Sequence, residues 1–152
     1  MTDEQQLDAY AAALAGAVDA VVVDWVQRCV ELTCARAGVA LDADLAERTR
    51  RAAVAARAEV DARLSALFAA DIDAQDVTPL QVLRDAVRFP TSVLADASVP
   101  PVERDGFDRR AFPDDVYGLT PAGVGDVDPS LVDPAVAWGA AKAHVHLRRR
   151  SR

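Results

Sequence analysis

No proline interrupts residues 1–78 of this 152-residue chain, and only Gly16 and Gly38 are glycine there; all eight prolines lie at or beyond Pro79. The first half therefore lacks helix breakers, and long helices can run through it. Cysteine is scarce, with Cys29 and Cys34 alone. Five residues apart on a helix, their Cα atoms are roughly 8–9 Å apart and about 140° round the axis, beyond disulfide reach. They read as free, buried structural thiols in a reducing compartment. The two histidines, His144 and His146, project about 200° apart on a helix and have no acid within residues 134–152, which argues against a metal site.

Signature chemistry is missing as well. Gly123-Val124-Gly125 fits neither the dinucleotide nor the P-loop pattern, and Cys-x-x-Cys, His-Glu-x-x-His and a nucleophile elbow are absent. Asp71, Asp73 and Asp76 lack the glycine and glutamate of a calcium loop and read as helix-end and turn residues. No metal and no cofactor is expected. Basic residues are outnumbered 17 to 24, so the chain as a whole has no nucleic-acid footprint. The acidic start, Met-Thr-Asp-Glu, is unlike a secretory signal. The most apolar stretch, Ala9 to Val30, carries Asp19 and Asp24, each costly at a bilayer centre. A cytoplasmic, soluble protein with no membrane partner is the expectation.

What is present is alanine. There are 32, and without them strongly apolar residues make up only about three-tenths of the chain, which points to thin, closely packed helices. Leu7, Ala11, Leu14, Val18, Val21, Trp25, Cys29 and Leu32 recur at steps of three and four, predicting a helix over about 3–37 closed by Gly38 and Val39. Asp42 or Asp44 caps a second helix to about residue 70 with a face of Leu45, Thr49, Ala52, Ala56, Val60, Leu64 and Leu67. Its outer side pairs Glu47 with Arg51, Arg57 with Asp61 and Glu59 with Arg63. The two form an antiparallel hairpin.

Thr78-Pro79 starts a shorter helix through Leu80, Leu83 and Val87 that ends near Pro90, with short turns over 91–97 and 101–110. Residues 112–133, rich in Pro, Gly and Asp, are an irregular crossing, either packed or partly disordered. Asp133-Pro134 opens a last helix through Leu147, apolar on two opposite sides, one with Val136, Ala140, Ala143 and Leu147, the other with Trp138, Ala141 and Val145. The expected fold is thus all-α and a single helical domain over 1–152, divided into 1–78, 79–133 and 134–152.

The leading functional expectation is a non-enzymatic protein that binds another protein, or itself, as an adaptor, accessory or regulatory subunit. Phe107, Phe112, Tyr117 and Trp138 are its candidate anchors. A second reading starts from charge: residues 134–152 carry Lys142, Arg148, Arg149, Arg150 and Arg152 with no acid, whereas residues 1–133 hold all 24 acids. That tail could contact phosphates in a nucleic-acid-associated regulator. A third reading is a small enzyme using the carboxylate pair Asp114 and Asp115.

Overall fold

The computed structural model describes residues 1–151; Arg152 lies outside the described residues. Among them the chain is all-α, with seven α-helices, two 3-10 turns and no strand. Helix α1 (Asp3–Ala37) starts at a reciprocal cap in which Thr2 Oγ1 accepts from Gln5 N and Gln5 Oε1 accepts from Thr2 N. It stops at Gly38, which takes the left-handed conformation at φ 68°, while Val39 N donates to Cys34 O. Asp42 Oδ1 accepts from Leu45 N at 2.8 Å and opens α2 (Ala43–Ala69). Leu45 at the start of α2 sits with Val30 and Cys34 from the end of α1, as an antiparallel hairpin requires.

The buried side of α1 follows the predicted stripe at Leu7, Ala11, Leu14, Val18 and Trp25, and departs from it through Val22, Val26, Val30, Thr33 and Cys34. Leu7 and Cys34 are about 7.5 turns apart and so lie on opposite sides of the helix. The cause is tertiary. The N-terminal part of α1 packs into a core with α2 and α7, whereas its last turns face a second core with Val93, Leu94, Val99 and Tyr117. Leu32, expected on the buried stripe, is consequently 57% exposed. In α2 the buried alanine is Ala53 rather than Ala52, and the rest of the predicted face is buried.

Only one of the three expected intrahelical pairs forms as written, Glu47 with Arg51, and Arg50 joins it. Arg57 reaches across to Asp19, Glu59 pairs with Arg88, and Arg63 with Asp85. These arginines lie beside neighbouring helices, where an acid on another element competes with one four residues along. By length and composition α1 could cross a membrane; in this fold its buried face forms part of both cores.

Asp71 caps a 3-10 turn at Ile72–Ala74, accepting from Asp73 N. Thr78 caps α3 (Pro79–Asp85) with Pro79 in the first turn. Leu80 is only half-buried, the core side being Pro79, Val82 and Leu83. The chain bends at Ala86–Val87 and continues as α4 (Arg88–Asp96). Pro90 lies in the first turn of α4, where its missing N–H costs nothing, so it does not end a helix there. Ser98 closes α4 at φ 57°, with Val99 N donating to Leu94 O.

After α5 (Gly106–Ala111), the Asp-rich segment is held by carboxylates that stand in for helical carbonyl acceptors. Asp115 accepts from Leu119 N and Thr120 N, Asp126 from Ala122 N and Gly123 N, and Asp128 from Ser130 N. Tyr117, Val127 and Leu131 are buried, so the segment is packed. It includes α6 (Val124–Val127) and a 3-10 turn at Pro129–Leu131 that runs directly into α7 (Val132–Arg150). Asp128-Pro129, one Asp-Pro step before the predicted one, therefore supplies the start signal.

Candidate protein-binding site

Helix α5 is set up locally by Asp105, whose side chain accepts from Asp108 N at 2.8 Å, and none of its residues is buried. Arg104 Nη1 donates to Phe112 O at 2.7 Å and pins the exit of the helix. Gly118 then turns the chain at φ 65°, its N–H donating to Asp115 O; a residue with a Cβ would be strained there. No residue of α5 belongs to either core.

A cleft of about 580 Å³ lies between α4 and residues 111–115, walled by Arg84, Arg88, Thr91, Phe112, Asp114 and Asp115 among others. A neighbouring cleft of about 340 Å³ includes Arg104, Phe107 and Gly118, and shares Arg84, Phe112 and Asp115 with the first. The half-buried Phe112 lines both. Arg84 is fixed by donating from Nε to Pro121 O and from Nη2 to Ala122 O, both at 3.0 Å, with its guanidinium 5.8 Å from the centre of the Phe112 ring. Arg88 is held by Glu59 and lies over Phe89. The arginine beside it keeps the Glu59 carboxyl below the usual carboxylate range. Thr91 Oγ1, shielded from solvent, has no hydrogen-bond partner among the described residues.

The sequence-derived candidates separate sharply. Phe107 is 70% exposed on α5. Tyr117 is no surface anchor: its ring is buried and its hydroxyl donates to Val99 O at 2.7 Å, linking the crossing segment to the end of α4. Trp138 is also buried, 5.4 Å from Phe68 between ring centres, with Lys142 over its face. Both face the interior because the elements carrying them pack against α1. Asp114 is exposed in the larger cleft, whereas Asp115, buried and accepting two backbone N–H bonds, holds a turn.

In the basic tail, Arg148 pairs with Asp3 at 3.5 Å, and Arg149 with Asp71 at 2.9 Å and Asp73 at 3.3 Å. His144 and His146 likewise meet Asp3 and Asp73. Arg150 is exposed and has no ion-pair partner among the described residues; Arg152 is outside them. Among the described residues, no three His, Cys, Asp or Glu side chains are grouped to hold a metal ion. Arg84 and Arg88 were not legible as site residues; their only sequence signal is a spacing of four ahead of Pro90. No protein-family model, curated protein or solved structure matches this chain.

Proposed function

We propose that the protein is a non-enzymatic, cytoplasmic binding module, without a bound cofactor, that engages another protein through α5 and the two clefts beside it. The observation that carries this reading is Phe107, 70% exposed on a helix with no buried residue. A phenylalanine this exposed adds little to the core, whereas aromatic side chains are the usual anchors of protein interfaces. The adjoining Phe112 wall and the held guanidinium of Arg84 would receive an apolar side chain and a polar group from a partner segment.

The test places a photo-cross-linking residue at position 107 and, as a control, at Val54, which is 55% exposed on α2. Partner capture in the native cell concentrated at 107 is expected, as is competition by excess untagged chain that Phe107→Ala weakens at least about tenfold. Equal capture at 54 and 107 overturns the reading. The nucleic-acid alternative has less support, since Arg148 and Arg149 already meet carboxylates of the fold. The carboxylate-enzyme alternative loses Asp115 to its turn.

A further inference from the structure

Each charge in the wall of the cleft between α4 and residues 111–115 can be followed to its partner. Asp85 pairs with Arg63, Arg88 with Glu59, and buried Asp115 accepts from Leu119 N and Thr120 N. Two charges are left. Arg84 has no carboxylate within 4 Å among the described residues, and exposed Asp114 has no cation.

The way Arg84 is held decides what it can take. Its Nε and Nη2 make one edge of the guanidinium, and that edge is occupied by Pro121 O and Ala122 O. Carbonyl oxygens orient the group without cancelling its charge. The remaining N–H groups, on Nη1 and Nη2, have no partner among the described residues, and the end-on edge they form matches the two oxygens of a carboxylate. Beside it stands the ring of Phe112, with its centre 5.8 Å from the guanidinium, and Val87, Ala95, Ala111 and Pro113 make the surrounding wall apolar. At about 580 Å³ the cleft is large enough for a small molecule or for one residue with its neighbours.

We propose that this cleft takes an apolar amino-acid residue with a free α-carboxylate. The carboxylate meets the open edge of Arg84, the side chain lies against Phe112, and the amino or amide N–H donates to Asp114. A purely cationic ligand is opposed by Arg84 and a doubly charged phosphate by Asp114, whereas a carboxylate with an N–H beside it meets both. Two sources share this chemistry, a free amino acid and the last residue of a partner chain. The proposal rests on the reading of these clefts as the binding face and names what that face accepts.

Titration of the isotope-labelled full chain with phenylalanine, acetyl-Ala-Ala-Phe and the C-terminal amide of that peptide, followed by backbone amide chemical shifts, tests this. A free-acid ligand should bind with a dissociation constant on the order of 0.1–1 mM. Its shifts should fall within residues 84–95 and 111–120. The peptide amide should bind at least about tenfold more weakly than the peptide acid, because it presents no charge to Arg84. Arg84→Gln should abolish that preference, and Asp114→Asn should weaken phenylalanine, with its charged amino group, more than the acetylated peptide. Phenylalanine binding as tightly as the peptide acid assigns a free amino acid, and binding of the peptide acid alone assigns a chain terminus. No shifts at up to about 10 mM, equal affinity for acid and amide, or shifts confined to other surfaces would overturn the proposal. Capture at position 107 without a preference for the acid removes this inference and keeps the protein partner; acid-selective binding without capture at 107 keeps the cleft and removes the partner.

Discussion

Arg57 on α2 donates to both carboxylate oxygens of Asp19 on α1, at 2.8 and 2.7 Å, bridging the hairpin. Asp61, one turn beyond Arg57, shares a hydrogen bond with the same carboxylate. Two acids and one arginine cannot all be satisfied as ions. Hydrogen bonds from Arg57 and then from Asp61 hold Asp19 down at about 2, while burial and the Asp19 carboxylate push Asp61 up to about 6.

The first prediction concerns pH. A carboxyl with a raised folded pKa favours the folded state while protonated, so its contribution is fully present below the ordinary value of 3.8 and is lost as pH rises towards 6. Asp61→Asn keeps the neutral hydrogen bond at all pH values. It should raise stability by about 1 kcal/mol at pH 7, allowing for solvent screening, and change little near pH 4. Urea unfolding at the two pH values checks it; equal gains at both would contradict the shared proton.

A second prediction separates the two neighbouring acids. Asp115→Ala removes the acceptor for Leu119 N and Thr120 N and should cost about 2–3 kcal/mol, while exposed Asp114→Asn should stay within about 0.5 kcal/mol. Thermal unfolding of the two variants side by side is sufficient, and similar losses would mean that the turn is not what Asp115 maintains.

Ser98 supplies a third. Its left-handed φ of 57° costs an L-residue roughly 1–2 kcal/mol, part of which glycine returns to unfolded-chain entropy. Ser98→Gly should therefore stabilise by about 0.5–1 kcal/mol in chemical denaturation. A loss would show that the serine side chain contributes more than the strain removes.

The thiols give a fourth. Burial raises both, Cys29 to about 11, with Asp115 adding to the rise and Arg28 opposing it. Little thiolate exists near neutrality, so alkylation at pH 8 should be slow in the folded protein and rapid for both cysteines in denaturant. Cys34 is buried as expected, whereas Cys29 is only half-buried; fast labelling of Cys34 under native conditions would contradict its burial.

Local signals were the legible ones. Gly38, Asp42 and Thr78-Pro79 act through hydrogen bonds within four residues, and a sequence contains everything needed to see them. Relationships across space were not. Arg57 looks equally suited to Asp61 or Asp19 until α1 is laid alongside, and of two Asp-Pro steps only packing selects Asp128-Pro129. The same holds for the candidate site. Phe107 and Tyr117 lie ten residues apart in one aromatic-rich segment, and nothing in composition distinguishes the exposed ring from the buried one. The clefts, made where α4 meets the crossing segment, have no sequence counterpart at all.

The rotation of the buried side of α1 from Leu7 to Cys34 has a thermodynamic consequence. One continuous helix is a structural member of both cores, so neither can melt and release its half of α1 without fraying the helix on which the other depends. The two ends of the molecule are thereby coupled into one cooperative unit. A single calorimetric transition, with equal calorimetric and van't Hoff enthalpies, is the signature of that coupling.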